Sequence, residues 1–202
     1  MADRPDGERP HGFSTYYDFL VATAFAEGER FALDQERCRE IDREFYQYYH
    51  RRICWLSLKK YASAVRDATH SLQLMDFSSA NAPDPRWALM HEQYRPFVMF
   101  HRIQAASLLS LEDADPKAAI DAIDRGLDEL SDVFQRHESG EHFEEDAFVK
   151  KLREMRGSIV DQFEVGPSLA EQLAEAIAAE RYELAAELRD RMGRQGEENE
   201  PR

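Results

Sequence analysis

The stretch DQERCREIDREFYQYYHRRICWLSLKKY, residues 34–61, carries one helical period from end to end. Apolar and aromatic side chains recur in it at three- and four-residue steps, the spacing of one face of an α-helix. The stripe consists of Cys38, Ile41, Phe45, Tyr48, Tyr49, Arg52 and Leu56. A stripe of this length predicts a long helix with a continuous packed face, at the centre of the protein.

The flanking stretches repeat this period. Before it, residues 15–28 predict a first helix, with Ser14 or Thr15 as its cap and Gly28 near its end. After it, further helices are predicted over 62–75, 87–94, 96–112, 113–137 and 145–163, with an internal loop at 76–86. Because no stretch alternates apolar and polar residues as a strand does, the sequence predicts an all-α fold.

Composition agrees with a water-soluble helical protein. Apolar residues make up 43% and charged residues 33% of the 202 residues, and there are only 9 Gly and 8 Pro for turns. The 26 Lys and Arg stand against 40 Asp and Glu, a formal charge of −14. This charge repels phosphate backbones and anionic lipids, so we expect neither direct nucleic-acid binding nor membrane binding. With no membrane-spanning run and no secretion-signal pattern, a cytoplasmic location is expected.

Four segments are predicted from these patterns. Polar residues 1–13 and 193–202 are expected to be disordered tails. Residues 14–165 are predicted to form an antiparallel helical body and residues 168–192 a short helical hairpin. The segment EVGPS supplies the boundary, which we set at Gly166-Pro167.

Two helix pairs of the body share a pattern of small residues. Ala64 and Ala119 each stand early in a second helix, and Leu72 and Leu127 follow each of them by eight residues. The pattern resembles the second half of a tetratricopeptide repeat over residues 45–136. The first copy keeps the aromatic as Tyr61, whereas the second has Pro116. The period of 119 − 64 = 55 residues exceeds the family's period of about 34. Ordinary antiparallel packing with alanine at the contacts is the alternative.

The hairpin reads LAEQLAEAIAAERYELAAELRDRM, residues 169–192. Its helical period breaks at residues 178–181 and then resumes, which predicts two short helices joined by a turn. Helices of about three turns are marginal when isolated in water, so the apolar face must be buried against something. The body of the chain, a second copy and another protein all remain open as that surface.

The spacing of the leucines, the alanine pairs and the LRD ending resembles the UVR motif. This motif is the helical hairpin shared by the excision-repair proteins UvrB and UvrC, and similar hairpins occur in regulators of Clp proteases and in activators of protein arginine kinases. The resemblance implies a protein-interaction hairpin without chemistry of its own. It also implies a role for each matching position: an apolar seam, a close helix approach and charged rim positions. These are Leu169, Leu173, Ile177 and Tyr182 for the seam, Ala185 and Ala186 for the approach, and Arg189 and Asp190 for the rim.

Catalytic and cofactor motifs are not found in the sequence. It holds no phosphate-binding glycine loop, dinucleotide fingerprint or serine nucleophile elbow, so we expect no enzyme activity and no cofactor. The densest group of metal-ligand types is His137, Glu138, Glu141 and His142, on a glycine-containing loop. We interpret it as a solvated turn, so no metal is expected.

One aromatic and basic cluster leaves an alternative open. Residues 44–56 crowd Tyr, His and Arg onto a few turns, and a groove in a helical array can bind peptides or acidic groups with such side chains. The candidate groove consists of Tyr48, Tyr49, Arg52, Arg95, His101 and Arg102. A tyrosine stripe at helical spacing is also typical of a packed core with its hydroxyl groups at the edge.

The sequence therefore predicts a non-enzymatic bacterial adaptor with a tetratricopeptide-like body and a terminal UVR-like hairpin. We expect the hairpin to pair with a second copy as a small four-helix bundle, which makes the protein a homodimer. DNA repair, proteolysis and stress regulation are all compatible with this function. The alternative is an enzyme or ligand-binding protein that uses the candidate groove as a pocket.

Overall fold

The computed structural model describes residues 3–137, 140–167 and 169–198, which contain nine α-helices and no strand. This agrees with the predicted all-α class. The helices are α1 (Tyr16–Glu27), α2 (Gln35–Ser57), α3 (Tyr61–Asn81), α4 (Pro85–Glu92), α5 (Arg95–Glu112), α6 (Pro116–Arg136), α7 (Ala147–Phe163), α8 (Leu169–Ala178) and α9 (Tyr182–Glu198).

Polar side chains fix where several helices begin. The predicted cap Thr15 accepts a hydrogen bond from the Asp18 backbone N–H and starts α1. Four aspartates do the same for α2, α4, α6 and α7, which satisfies backbone donors that a first helical turn leaves free. These are Asp34, Asp84, Asp115 and Asp146. Pro96 lies in the first turn of α5, so it starts a helix and does not kink one.

Three helix pairs, α2–α3, α5–α6 and α8–α9, are joined by the same tight turn. In each, a residue other than glycine takes a left-handed backbone conformation: Lys59, Ala114 and Glu180, all with φ of 57°. The next backbone N–H then donates to a carbonyl five residues back, at 2.8 to 2.9 Å, and so closes the preceding helix. We refer to these as the left-handed turns.

The helices of residues 3–137 pack side by side in the order α2, α3, α5, α6, with α1 against α2 and α4 against α3. Ala64 and Ala119, the small residues of the predicted repeat, are both fully buried. At the α5–α6 contact, Gly126 leaves no room for a side chain, because an added Cβ would lie 2.3 Å from Cγ1 of Ile103. Small residues thus permit the close helix approach.

Residues 3–13 differ from the disordered tail that the sequence predicts for 1–13. Arg4 is buried and donates to Glu40 Oε2 at 3.0 Å and to Gln47 Oε1 at 3.1 Å, both on α2. Its backbone N–H donates to the carbonyl of Ser14, which holds the segment beside the start of α1. A polar composition does not prevent order here, because residues 36 and 43 positions further along the chain accept hydrogen bonds from Arg4.

Glu44 joins this segment, α1 and α3. Its carboxylate is fully buried and accepts hydrogen bonds from the backbone N–H groups of Tyr16 (2.7 Å) and Tyr17 (3.1 Å) at the start of α1. His70 Nε2 of α3 lies 2.9 Å from the same carboxylate, and Arg4 Nε lies 3.8 Å away. A buried carboxylate is tolerated when it is fully hydrogen-bonded and paired, as it is here.

The predicted internal loop at 76–86 is wrong over most of its length. Helix α3 continues to Asn81, and α4 begins at Pro85. Phe77 explains the extension, because its ring packs edge-on against Tyr17 and Phe31 with centroids 6.1 and 5.7 Å apart. Tertiary packing therefore maintains the helix through a serine- and asparagine-rich stretch that favours a loop on its own.

The chain divides into two compact units, Met1–Ile159 and Val160–Arg202. The division falls in the last turn of α7, ahead of the boundary set at Gly166-Pro167 from the sequence. In the second unit, α9 runs through to Glu198, so residues 193–198 are helical where the sequence predicts a disordered tail. The rest of that tail, 199–202, is outside the described residues. None of the helices described is long and apolar enough to cross a membrane.

Candidate functional site

The C-terminal hairpin consists of α8, a left-handed turn at Glu180, and α9. The turn is closed by two backbone hydrogen bonds, from Glu180 to the Ile177 carbonyl at 3.0 Å and from Arg181 to the Ala176 carbonyl at 2.8 Å. These bonds use up carbonyl groups that the end of α8 would otherwise leave free. The break in period over 178–181 therefore corresponds to a compact reversal of the chain.

The interior of the hairpin is small. Ala176 from α8 and Ala185 and Leu188 from α9 are buried against one another, and Leu173 packs on them while partly exposed. Alanine at facing positions lets two helix backbones approach closely, so one leucine on each helix is enough to fill the space between them. Of the residues named for the motif from the sequence, Leu173 and Ala185 are thus in contact inside the hairpin.

The other apolar residues named for the motif point outward. Ile177 is 53% exposed and Tyr182 is 68% exposed, and Ala186 is exposed as well. Leu184, which was not singled out from the sequence, is 38% exposed. Its spacing of four from Leu188 was the available signal. The side chain of Leu169 is outside the described part of the chain, although its backbone begins α8.

Charged groups flank this face. Arg189 and Asp190, the predicted rim pair, are both well exposed with their charged atoms 3.7 Å apart. Arg181 lies 3.3 Å from Glu175 across the turn. Exposed pairs of this kind stabilise a fold by at most about 1 kcal/mol. We call Ile177 and Tyr182, which lie on the two sides of the turn, the exposed apolar face of the hairpin. Leu184 stands two residues after Tyr182, so it points to a different side of α9.

The six residues of the candidate groove do not line one surface. Arg52 and His101 are buried in contact with each other, whereas Arg95 and Arg102 line a separate cleft of about 280 Å³ between α3, α5 and α6. Tyr48 is almost fully buried and borders another cleft, of about 330 Å³. Tyr49 is half-buried, with Arg52 over its ring at 5.9 Å.

Arg52 is an unusual core residue, being only 1% exposed. Its Nε donates to His101 Nδ1 at 3.4 Å and its Nη1 donates to Ser71 Oγ at 3.0 Å, so both acceptors are neutral groups. Burial lowers the pKa of Arg52 to about 10, although Asp67 and Tyr49 act in the opposite direction. The guanidinium therefore bridges α2, α3 and α5 from within and is not available to a ligand at the surface.

His101 is neutral in this arrangement. Burial, and after it the positive charge of Arg52, lower the pKa of His101 to about 4. The hydrogen bond from Arg52 requires an unprotonated Nδ1, which agrees with that direction. The ring also packs on Phe97 with centroids 4.2 Å apart. This geometry suits a core histidine that holds helices together.

The cleft beside Arg95 and Arg102 is lined by matched charges. Arg95 donates to Glu92 at 2.6 Å and to Asp76 at 2.8 Å, and Arg102 is paired with Glu129. Since both guanidinium groups already have carboxylate partners, an anionic ligand would have to displace them.

The residues considered for a metal lie between the end of α6 and the start of α7. His137, Glu141 and His142 are exposed, and Glu138 is outside the described residues. His142 Nε2 is 3.5 Å from its neighbour Glu141, an exposed contact within the turn. Within the described ranges, no group of three or more His, Cys, Asp or Glu side chains is placed to hold a metal ion.

The chain thus combines a helical body with a compact C-terminal hairpin that exposes apolar and charged side chains. Comparison with known families identifies the hairpin: residues 167–194 match the model of the UvrB/uvrC motif. The chain therefore carries a UVR motif, a motif that mediates protein–protein interactions, and the match covers α8 and most of α9. No curated protein and no solved structure matches the chain, so the tetratricopeptide likeness of the body stays a prediction.

Proposed function

We propose that this protein is a non-enzymatic cytoplasmic adaptor that binds other proteins through the exposed apolar face of its UVR hairpin. The observation that carries the proposal is that Ile177 and Tyr182 are exposed to water although the hairpin interior is filled without them. Burial of a large apolar side chain is worth about 1.5–3 kcal/mol, so a partner that covers this face gains one such contribution from Ile177 and one from Tyr182.

The partner proposed first is the hairpin of a second copy, in a two-fold four-helix bundle. Each copy exposes the same two large apolar side chains, Ile177 and Tyr182, so a two-fold arrangement covers both sets at once. In a bacterial cell, a UVR hairpin of another protein in DNA repair, proteolysis or stress regulation would bind the same face by exchange.

The test of this pairing uses the full chain and one substitution. Light scattering after gel filtration, at tens of micromolar, should give twice 23.5 kDa for the unaltered protein and 23.5 kDa for Ile177→Asp. Ala178→Asp is the matched control, because it puts the same charge at the neighbouring, exposed end of α8 and should remain a dimer. A single-chain mass for the unaltered protein would reject the homodimer.

The adaptor function itself is tested by capture of partners from the native lysate. The full chain should retain a specific protein that Ile177→Asp loses and Ala178→Asp keeps. If Ile177→Asp recovers the same proteins, the exposed apolar face is not the binding surface. A thermal-shift screen against metals, nucleotides and phosphorylated metabolites should be flat, and a saturable rise in Tm would favour a ligand-binding or enzymatic function instead.

A further inference from the structure

Five polar residues of α2 form a stripe beside its packed face. They recur at three- and four-residue steps, so they lie on one side of the helix. The stripe consists of Glu40, Arg43, Glu44, Gln47 and Arg51, which we call the polar stripe of α2. Each of the five contacts residues 3–8, which we call the N-terminal strap. One helix face therefore holds the strap.

Arg4 of the strap occupies a site built from carboxylates. Its guanidinium donates to Glu40 and Gln47, and its Nε lies 3.8 Å from Oε2 of the fully buried Glu44. The Arg4 side chain is 1% exposed. Removing one partner of such a buried pair leaves a charge without its counter-ion, which is strongly unfavourable. The site therefore favours a cation, and the forked donors of a guanidinium match its separated acceptors.

A turn places a carboxylate beside this arginine. Residues 4–7 form a β-turn, in which the Gly7 backbone N–H donates to the Arg4 carbonyl at 3.0 Å. The third residue of the turn is Asp6, whose Oδ2 accepts from Arg43 Nη2 at 3.1 Å and from Gln47 Nε2 at 2.8 Å. The polar stripe thus binds an arginine and, two positions later, an acidic residue.

Few other contacts hold the strap. Arg51 Nη1 donates to the Asp3 carbonyl at 2.8 Å, and the Arg4 backbone N–H donates to the carbonyl of Ser14. Arg4 is the one buried residue in 3–13. A segment that docks through polar side chains and covers little apolar surface opens at a much lower free energy than the whole fold. The strap can therefore leave α2 while the helices stay folded.

We propose that the polar stripe of α2 is a second protein-binding surface, with the strap as its internal competitor. The partner is a loop or chain terminus that forms the same turn, with arginine at its first position and aspartate or glutamate at its third. Charge complementarity supports this choice, because Arg4 and Asp6 each meet side chains of the opposite charge on one helix face. A partner must displace the strap, so the strap lowers the apparent affinity and selects segments that carry both side chains. The surface lies on α2 and is tested independently of the hairpin.

The first test adds the strap sequence as a separate peptide. Fluorescence anisotropy measures the binding of labelled DRPDGER, the sequence of residues 3–9, to the full chain. Arg4→Ala frees the site for the arginine of the peptide, so it should bind the peptide at least about tenfold more tightly than the unaltered chain. Asp6→Lys, which loosens the strap by repulsion from Arg43 and leaves α2 unchanged, should give a several-fold gain. Arg9→Ala is the matched control, because Arg9 is exposed, and it should bind no better than the unaltered chain.

Altered peptides test which side chains the site binds. In the Arg4→Ala chain, DAPDGER should bind at least about tenfold more weakly than DRPDGER. Adding Arg43→Glu should invert the preference at the third turn position, so that DRPKGER binds more tightly than DRPDGER. If Arg4→Ala and Asp6→Lys bind the peptide no better than Arg9→Ala, or if DAPDGER binds as well as DRPDGER, the proposal is overturned. An unchanged preference in Arg43→Glu would overturn the pairing of Arg43 with the acidic residue. Circular dichroism of each variant checks that the fold is intact.

Discussion

Replacement of Gly126 by alanine should destabilise the body of the protein, although alanine is the better helix former. Gly126 lies within α6, where glycine costs about 1 kcal/mol relative to alanine. An added Cβ would, however, lie 2.3, 2.6 and 2.8 Å from three side-chain atoms of Ile103 on α5. Ordinary carbon contacts are near 3.5–4.0 Å, so one helix or the Ile103 side chain must move by about 1 Å.

The size of the effect follows from these two opposing contributions. Overpacking a core costs about 1–3 kcal/mol, and three close contacts on a buried isoleucine place this site at the upper end. Subtracting the helix-propensity gain of about 1 kcal/mol leaves a net loss of about 2 kcal/mol. For a unit of this size, the corresponding decrease in Tm is about 4–8 °C.

Gly157 provides the matched control. It also lies inside a helix, α7, but nothing lies within 4 Å of the position its Cβ would take. Gly157→Ala should therefore raise the free energy of unfolding by up to about 1 kcal/mol. Urea unfolding followed by circular dichroism measures both variants. If Gly126→Ala is as stable as Gly157→Ala, the close approach of α5 and α6 is not a constraint and the reasoning fails.

A second substitution localises the strain. Ile103→Ala removes all three clashing atoms, at a cost of its own of about 2–5 kcal/mol for the cavity. Combined with Gly126→Ala, it should cost at least 1 kcal/mol less than the sum of the two single changes, as expected for residues in direct contact. Strict additivity would locate the destabilisation elsewhere.

Three further outcomes are expected. Glu44→Gln should lower the free energy of unfolding, measured by urea unfolding, by about 3 kcal/mol, because it weakens the hydrogen bonds to Tyr16, Tyr17 and His70. Glu40→Gln is the control and should cost less than about 1 kcal/mol, because Glu40 is half-exposed. Burial lowers the pKa of His101 to about 4 in the folded protein, so as the pH falls the unfolded chain binds the proton first. Up to about 3 kcal/mol of the stability present above pH 6.5 should therefore be lost as the pH falls towards 4. His101→Asn should flatten that dependence in urea titrations at pH 7 and pH 5. Leu188→Ala should reduce hydrogen-exchange protection of α8 and α9, while Ile177→Ala should leave it unchanged, since of these two side chains only Leu188 is buried.

The helices of the body were predictable because their determinants are local. Each determinant lies in or next to the helix that it defines, as do the helical period of residues 34–61, the cap Thr15 and the first-turn Pro96. Buried polar groups were not predictable, because their partners are distant in sequence. Arg52 meets His101 49 residues away, and Glu44 meets Tyr16 28 residues away. An isolated stretch of sequence gives no sign that such charges will be buried.

In the hairpin, too, some features were predictable from the sequence and others were not. Its two helices and the reversal between them follow from spacing, and so does the UVR motif that residues 167–194 match. Which apolar residues face inward does not follow from spacing, because Ala176 and Ile177 are adjacent and both apolar. Ala176 lies inside because Leu173 and Leu188 already fill the space between the two closely packed helices, so the larger Ile177 faces outward.

The three left-handed turns bear on how this protein can change over evolutionary time. An L-residue with a φ of 57° carries a conformational cost of about 1 kcal/mol that glycine avoids. This cost applies at each of the three turns, at Lys59, Ala114 and Glu180. Replacement of one of these residues by glycine would remove that cost without altering any packed side chain. Lys59 and Ala114 lie in one compact unit and Glu180 in the other. Glycine at position 59 or 114 would therefore stabilise the first unit, and glycine at position 180 the second, independently of each other. Either gain in stability would offset the cost of substitutions that create a new binding surface.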